Sequence, residues 1–342
     1  MPGEFSVVVM DAGQGESLLV VFPDDSLIMI DCGCMKNTGI VKEPIKAVLN
    51  RYLPNAGGRL KALVLTHPDA DHINLVNEVI IKNKIHIGYL VYGGNADKYS
   101  GIAGWIKKHK YKTAYPSQID EVADIGPSHY SEKVITELSY GGSEEYEKVD
   151  VRILAANVGE SANAKSVVLL ITYGDINVFL MGDAPFETEN FIIENMSNTL
   201  LGGRHTLLKV GHHGSNNSSG EEWIKKIQPE IAFISSDTKT FSGSSIPCST
   251  AVDRIITKGS LLSDSKIEHC YVQYNVGSKR HEQIKTLTKL YTTIHLLEFR
   301  ANNTDFTSYG TTWYYSVKNK KDGKQVVDVY PSCGWENVLT PY

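Results

Sequence analysis

The sequence predicts an α/β protein, because short apolar runs alternate with stretches in which apolar residues recur at helical spacing. The clearest runs are residues 5–10, 17–22 and 27–30, and residues 23–25 supply a turn between the second and the third. The 342 residues, of which 42% are hydrophobic, suffice to bury a large core. Length alone is compatible with one large domain or with two ordinary ones.

The later elements are predicted from the same two patterns, apolar runs for strands and helical spacing of apolar residues for helices. Residues 44–52 predict a helix with Pro44 in its first turn, and residues 62–65 predict a strand that leads through a polar loop into another helix. In the less patterned stretch 85–155 we expect a strand, a helix near Trp105 and a helix near Val134. The remaining predicted elements are strands over residues 166–173, 176–181, 206–210 and 231–234 and helices over residues 186–196 and 221–227.

Composition argues against several classes of protein. Residues 1–13 lack a basic region ahead of an apolar stretch, and no segment approaches the roughly 20 apolar residues that span a bilayer, so we expect a cytoplasmic protein. The five cysteines are odd in number and lack CxxC spacing, which suits reduced thiols, and Cys32 and Cys34 lack partners for a tetrahedral metal site. The formal net charge of -5 argues against broad nucleic-acid coating but leaves room for a local basic groove.

Metal-competent polar residues directly follow four of the predicted strands. They occur at Asp31, after Leu65, after Met181 and after Val210. Because strand ends along one edge of a sheet converge in space, loops that are far apart in the sequence can build one site there. A single Asp before a helix is usually an N-cap, and a single His in a loop is usually hydrogen-bonded locally. Three acidic and three or four imidazole groups, all at strand ends, are better explained as a metal site.

The loop that leaves the fourth predicted strand carries the densest set of such residues. Alternate residues of an extended loop point the same way, so His67 and Asp69 can address one ion while Asp71 and His72 address another. Asp183 can bridge both ions through its two oxygens.

This loop resembles the HxHxDH signature of the metallo-β-lactamase superfamily in the form HxDxDH, with Asp69 in place of the second histidine. Together with further motifs in the same order, the Asp form resembles the C-terminal domain of the ComEC DNA-uptake proteins and their stand-alone relatives. Those motifs lie at residues 9–16, 27–33, 163–166, 179–183 and 208–215, and the resemblance covers roughly residues 5–240.

The resemblance implies a four-layer αβ/βα sandwich with a two-metal centre in the cleft between its sheets. We expect residues 1–259 to form this hydrolase domain and residues 260–342 to form a C-terminal α+β extension packed on it. The ligand set that the resemblance implies is His67 and Asp69 for one metal, Asp71 and His72 for the other, and Asp183 between them.

One histidine of the pair His212/His213 should complete the shell of the second metal. We expect it to be His212, at the strand end, with His213 outside the shell or acting on the leaving group. Asn163 occupies the stretch in which many superfamily members place another histidine, so the first metal is short of a nitrogen ligand. Glu16 stands where the ComEC-like pattern usually has Asp, and Ile246-Pro247 stands where a His-Pro pair is expected. No channel segments accompany the domain, and a DNA-uptake role therefore does not carry over.

Two divalent ions a few Å apart activate water for attack on a phosphoryl or acyl centre. An Asp at position 69 makes the site richer in oxygen, which favours Mn²⁺ without excluding Zn²⁺. Either Asp69 or Asp71 can accept the proton of the water, and His213 can serve the leaving group. Candidate contacts to the substrate are Asn163, Lys209 and Ser215, although a position inside a strand gives Lys209 a structural role just as readily.

An oxygen-rich two-metal site suits phosphodiesters, and we expect a nuclease or phosphodiesterase, mostly on the strength of the resemblance. The basic and aromatic residues 105–112 can follow a nucleic-acid backbone, although a solvated helix face is the commoner origin of such a run. One alternative is a hydrolase of a small ester, lactone, thioester or cyclic nucleotide, with a narrow covered pocket. Another is a non-catalytic binding protein that retains no metal. A redox diiron centre fits less well, because its usual Glu-x-Asp spacing is absent.

Overall fold

The computed structural model describes residues 4–34, 38–123, 125–236, 240–241, 244–261, 269–274, 281–286, 290–292, 294–295, 309–319 and 325–333. These residues contain six α-helices, which are α1 (Thr38–Tyr52), α2 (Ala70–Ile73), α3 (Ala103–Lys110), α4 (Phe186–Asn195), α5 (Glu221–Ile227) and α6 (Ser249–Lys258). A π-helical turn spans Asn77–Ile81, and 3-10 turns span Ala96–Lys98, Asn163–Lys165 and Gly211–Gly214. No helix among the described residues combines the length and the apolar character needed to cross a bilayer.

Twenty strands lie in the described part of the chain. They are β1 (Phe5–Val9), β2 (Leu18–Val21), β3 (Leu27–Ile30), β4 (Arg59–Leu65), β5 (His86–Tyr92), β6 (Ile119–Val122), β7 (His129–Tyr130), β8 (Val149–Ala156), β9 (Val168–Tyr173), β10 (Ile176–Leu180), β11 (His205–Lys209), β12 (Ile231–Ile234), β13 (Thr240–Phe241), β14 (Ser244–Ser245), β15 (His269–Tyr274), β16 (His281–Thr286), β17 (Leu290–Thr292), β18 (Ile294–His295), β19 (Tyr309–Asn319) and β20 (Gln325–Cys333).

Two sheets contain most of these strands. The first has the order β18-β19-β1-β2-β3-β4-β5-β6, with β20 on β19, and the second has the order β17-β12-β11-β10-β9-β8-β7. Strands β3 to β6 run parallel in the first sheet, as do β10, β11, β12 and β17 in the second. The carboxyl ends of neighbouring parallel strands therefore meet at one edge of each sheet.

The two-residue period of the strands separates two cores. In β1, Val7 and Val9 point into the layer between the sheets, whereas Val8 packs on the outer face of the first sheet. Side chains from the second sheet, such as Ile171 and Val178, complete the layer between the sheets. A strand that is apolar at every position, as β2 is, suits a sheet that is covered on both faces.

Helices cover both outer faces. Residues of α1, of the π-helical turn and of α3 pack on the first sheet, and residues of α4, α5 and α6 pack on the second, where Trp223 lies edge-on to Phe179. The result is the expected α/β sandwich of four layers, helices, sheet, sheet and helices.

Three features differ from the sequence-based expectations. Helix α1 begins at Thr38, so Pro44 lies inside it and not in its first turn. No helix forms near Val134, because the next residue donates its backbone N–H to the carbonyl of Val151 in β8 and packs on the layer between the sheets. Strands beyond residue 259 join both sheets, through β17 on β12 and β19 on β1. The division at 259/260 stays a prediction.

Candidate metal centre

The metal loop, residues 66–72, leaves the carboxyl end of β4 and leads into α2. Asp69 occupies the N-cap position of α2, but its side chain makes no capping hydrogen bond. Its Oδ2 lies instead 3.5 Å from Nε2 of the buried His67. The side chain of Asp69 is thus turned towards the imidazole that the sequence analysis paired with it.

Asp183 follows β10 and lies opposite the metal loop. Its Oδ2 is 3.7 Å from Nε2 of His67, and its Oδ1 is 3.2 Å from Nε2 of His72 and 3.5 Å from Nε2 of His213. The backbone N–H of Asp183 donates to Oγ of Ser166 at 3.1 Å. The two oxygens of one nearly buried carboxylate therefore face two different sets of side chains.

The second set consists of Asp71, His72 and His213. Nε2 of His213 lies 3.5 Å from Oδ2 of Asp71 and 3.2 Å from Nε2 of His72. His72 and Asp183 also have ligand atoms within 4.8 Å of one another and of His67, so these two residues lie between the second set and His67. The division of the loop into ligands for two separate ions stays a prediction.

Asp31 fixes the orientation of His72. At the end of β3, its Oδ2 lies 2.6 Å from Nδ1 of His72, and its Oδ1 accepts the backbone N–H of Thr66 at 2.7 Å. This contact leaves Nε2 of His72 directed at the centre, as a metal-binding imidazole requires. Asp31 adopts a left-handed backbone (φ 53°), a conformation that is uncommon outside glycine.

Electrostatic coupling in the cluster is strong. Burial alone raises the pKa of Asp183, but the nearby imidazoles of His213 and His72 outweigh it and hold that pKa well below its usual range. Burial also disfavours the charged form of His72 and so lowers its pKa. The carboxylates of Asp183 and Asp31 outweigh this effect and raise that pKa well above the usual value. Without a metal ion, the carboxylates thus draw protons onto the imidazoles.

The structure reverses the expected roles of the two adjacent histidines. His213 is buried, its Nδ1 donates to the backbone carbonyl of Ser235 at 2.7 Å, and its Nε2 faces the second set. His212 is partly exposed. Its Nδ1 donates to Oδ1 of Asn217 at 2.7 Å, and its Nε2 lies 3.7 Å from Oδ2 of Asp183 and accepts from Nδ2 of Asn163 at 3.1 Å. The expectation that His212 completes the second set therefore does not match the geometry.

The backbone explains how adjacent histidines reach different positions. Both have left-handed conformations, with φ of 45° for His212 and 52° for His213. Two successive non-glycine residues in this region are strained, and such strain is concentrated at functional sites. The peptide N–H of His212 donates to the carbonyl of Gly182, which ties the histidine turn to the segment that carries Asp183.

Lys209 does not reach the site as a substrate contact. Its side chain is fully buried, and its ammonium group pairs with Glu16 and donates to the carbonyl of Val210. Oε1 of Glu16 is buried and has no hydrogen-bond partner, and a carboxylate oxygen of Glu16 lies within 4.8 Å of ligand atoms of Asp183 and His213. The prediction that Lys209 binds the substrate is wrong, because the side chain is buried and paired with Glu16. The alternative prediction, a structural role for Lys209, fits this geometry.

The other two candidate substrate residues lie at the rim. Asn163 is partly exposed and contacts His212, while Ser215 is partly exposed and donates its backbone N–H to the carbonyl of His212 at 2.8 Å. Sequence reasoning missed Asn217 and the carbonyl of Ser235, which orient the two histidines. Every residue has a backbone carbonyl, so the sequence does not indicate which carbonyl orients a histidine. Asn217 is indicated only weakly, by its position in the loop that follows the two histidines.

The donor set fits divalent metal ions. Nε2 of His67 and Oδ1 of Asp183 are buried and have no hydrogen-bond partner, although other donor atoms lie nearby. Buried polar atoms without partners are uncommon unless a ligand or an ion completes them. Three groups among the described residues have ligand atoms within 4.8 Å of one another, namely His67/His72/Asp183, Asp71/His72/His213 and Glu16/Asp183/His213.

The four-layer sandwich and the histidine–aspartate cluster at its edge define the metallo-β-lactamase class of fold. The sequence model of the "Metallo-beta-lactamase superfamily" matches residues 10–237, which is more than half of the chain. The chain therefore belongs to the metallo-beta-lactamase superfamily, whose members typically bind divalent metals.

Three curated relatives are similar to this chain over about two thirds of its length. "ComE operon protein 3" of Bacillus subtilis (strain 168) is 26% identical over 69% of this chain and 29% of its own length. "Recombination protein 2" of Haemophilus influenzae is 28% identical over 68% of this chain and 24% of its own. "Competence protein ComA" of Neisseria gonorrhoeae is 28% identical over 68% and 27%. The chain thus spans only about a quarter of the length of these relatives. The similarity to competence and recombination proteins confirms the expected resemblance to the ComEC-like branch.

Among solved structures, "CmlA beta-hydroxylase E377D mutant" aligns with a TM-score of 0.39 and 11% identity, over 75% of this chain and 49% of the other. A similarity of this extent supports no argument about the site.

Proposed function

We propose that the protein is a hydrolase of phosphodiesters that uses two divalent metal ions. The observation that carries the proposal is the division of Asp183, whose two oxygens face separate groups of imidazoles and carboxylates. A carboxylate in this position suits a bridge between two ions. In the arrangement that we propose, His67 and Asp69 serve one ion, and the other is held by Asp71, His72 and His213.

The charge of the cluster supports two ions over one. Five carboxylates lie in or next to the centre, those of Glu16, Asp31, Asp69, Asp71 and Asp183. The ammonium group of Lys209 supplies one positive charge beside them. Metal-bound imidazoles are neutral, so two doubly charged ions and one lysine balance five negative charges. With a single ion, protonated imidazoles would have to offset the remaining negative charge in this largely buried site, which two ions make unnecessary.

Each side chain has a distinct task in this proposal. When bound, the ions supply an activated water and neutralise the charge on the phosphoryl oxygens. Asp69, which is half-exposed, and Asp71 are placed to accept a proton at a carboxylate oxygen, and Asn163 and Ser215 at the rim are placed to contact the substrate anion. Because imidazoles and carboxylates are mixed, both Mn²⁺ and Zn²⁺ suit the donors.

Phosphodiesters are the substrates that we favour over small acyl esters. The oxygen-rich donor set matches a reaction centre that carries negative charge. One relative is named for recombination, and two others are named for competence or for a gene cluster, which supports nucleic acid as the polymer. We also propose a cytoplasmic location, supported by Cys32 and Cys248, which form no disulfide within the described part of the chain.

The test combines elemental analysis of the purified protein with a substrate panel. Single-stranded DNA, double-stranded DNA, RNA and bis-p-nitrophenyl phosphate are incubated with the protein and Mn²⁺ or Zn²⁺. We expect two ions per chain, turnover of the small diester, and loss of more than about 100-fold in rate for Asp183→Asn and His72→Ala. His205→Ala is the matched control, because His205 is exposed at the other end of β11.

The outcomes separate the alternatives. Hydrolysis of the small diester without any polymer would restrict the enzyme to small phosphodiesters, whereas hydrolysis of a lactone or thioester but no phosphodiester would overturn the proposed substrate class. A protein that binds no metal and hydrolyses nothing would be a binding protein on the same fold. Full activity of Asp183→Asn would remove the bridge and the two-ion proposal with it.

A further inference from the structure

A groove opens beside the metal loop, at the carboxyl end of β5. Its cavity has a volume of about 380 Å³. One wall is the start of the loop after β5, and the other is the C-terminal end of α3. The residues that define this α3 groove are Tyr92, Gly94, Asn95, Lys107, Lys110 and Tyr111.

The α3 groove adjoins the proposed metal centre. Strands β4 and β5 are parallel neighbours, so the metal loop and the loop at Gly94 leave the sheet side by side. A Cβ atom added to Gly94 would lie 3.9 Å from Cδ of Pro68, which stands between His67 and Asp69. The groove therefore lies beside the loop that carries His67 and Asp69, close enough for a polymer whose reacting phosphate sits at the centre to reach it.

The groove is a local basic surface on an acidic protein. Residues 96–115 contain five lysines and one acidic residue, whereas the whole chain has a net charge of -5. Lys107 pairs with Asp97, the one acidic residue of this stretch, but both side chains are exposed, so the ion pair is weak and Lys107 can contact a phosphate instead. Lys110 lies over the ring of Tyr92 at 5.9 Å, and Lys108 and Lys112 are exposed on the same helix end. Fixed positive charge beside a phosphodiesterase site favours a polyanion.

An exposed aromatic ring accompanies this charge. Tyr111 is 68% exposed at the end of α3, and it is one of four exposed large hydrophobic side chains among the described residues, with Tyr115, Val134 and Phe186. Trp105 and Ile106, from the same basic and aromatic run, pack on the first sheet and hold the helix in place. Unpaired bases stack on exposed aromatic rings next to positive charge, whereas bases in a duplex are already stacked.

We propose that the α3 groove binds single-stranded nucleic acid next to the phosphodiester that is cleaved. Tyr111 stacks on a base, and Lys107 and Lys110 lie along the phosphates. This inference rests on the proposed function, since it assigns the substrate strand to a surface beside that site. It makes the enzyme prefer polymers over isolated diesters.

The test compares an oligonucleotide with bis-p-nitrophenyl phosphate. For Tyr111→Ala and for Lys107→Gln/Lys110→Gln, we expect the ratio of kcat/KM for single-stranded oligonucleotide to that for the small diester to fall roughly tenfold. The control, Lys82→Gln/Lys84→Gln, removes the same charge from exposed residues ahead of β5, at the opposite edge of the sheet, and should keep the parental ratio.

Binding gives a second readout. In an Asp183→Asn background, fluorescence anisotropy of a labelled single strand should show a slope of log K against log salt that is lower by about 1.4 in the double lysine variant, at about 0.7 per phosphate contact. Tyr111→Ala should weaken binding without this change in slope.

Each other outcome has a defined meaning. If the parent hydrolyses neither substrate, the proposed function fails, whatever the groove does. If the parent hydrolyses both and the groove variants keep the parental ratio, the groove is not the binding surface. Duplex binding that equals single-strand binding, or competition by polyglutamate as strong as that by the oligonucleotide, would also overturn the assignment.

Discussion

Replacement of Lys209 by methionine tests the buried pair beneath the metal centre. Both Lys209 and Glu16 have side chains that are fully buried, and the ammonium group is the cation that faces this carboxylate. Lys209→Met keeps a side chain of similar length but leaves Glu16 charged and without a cation, while its Oε1 already lacks a hydrogen bond. Removal of one partner from a buried ion pair costs about 3–5 kcal/mol. That is a large share of the roughly 5–15 kcal/mol by which proteins of this kind are stable.

The assay is urea unfolding of the metal-free protein, followed by the fluorescence of its tryptophans, of which Trp223 is buried. We expect the free energy of unfolding of Lys209→Met to fall by about 3–5 kcal/mol, and that of Glu16→Leu/Lys209→Met to return to within about 1 kcal/mol of the parent, because no unpaired charge remains. Lys225→Met, at an exposed lysine of α5, should change it by less than about 0.5 kcal/mol. The reasoning is refuted if Lys209→Met is as mild as this control, or if the double variant is no more stable than the single one.

Three further perturbations test how the centre is held. Gly33→Ala places a Cβ 2.4 Å from the backbone of the metal loop and should weaken Mn²⁺ binding in a titration, whereas Gly104→Ala, with open space around its Cβ, should leave it unchanged. Asp31→Asn weakens the contact that orients His72 and should lower metal affinity about 10- to 100-fold, and unchanged affinity would exclude this role. Burial raises the pKa of Glu189 to about 7 from 4.5, so the folded state binds the extra proton and stability falls as pH rises from about 4.5 through 7, by about 3 kcal/mol. Urea unfolding between pH 4.5 and 8 should lack this component in Glu189→Gln, and equal slopes for both proteins would contradict it.

The strands and their succession along the chain were largely predictable, because most of them are short continuous runs of apolar residues. Leu27–Ile30 and Ile231–Ile234 have the predicted bounds, and Asp31, directly after the first of them, was recognisable as part of a convergent edge. The segment near Val134 was not, since its apolar residues are spaced as in a helix while its conformation is decided by pairing with β8, which is distant in sequence. Local pattern cannot report a partner of that kind.

The same limit applies inside the site. His212 and His213 are chemically identical neighbours, and only their left-handed backbone turns one inward and the other towards the rim. Residue type does not encode a positive φ when glycine is absent. The role of Lys209 depends on Glu16, 193 positions away, and its place inside a strand signalled burial without naming the partner.

Close backbone contacts between loops of the two sheets explain why the centre needs such exact neighbours. Gly182, with φ 53°, lies so near Thr66 that a Cβ would come within 2.8 Å of the Cβ of that threonine. The carbonyl of Thr66 also accepts the N–H of Val167 from the second sheet, and Oγ of Ser235 donates to the carbonyl of Gly15 in the first. Because none of these contacts involves the side chain of a metal ligand, loss of a metal ligand should leave the sandwich folded, whereas a side chain at a glycine of the interface displaces both sets of ligands together.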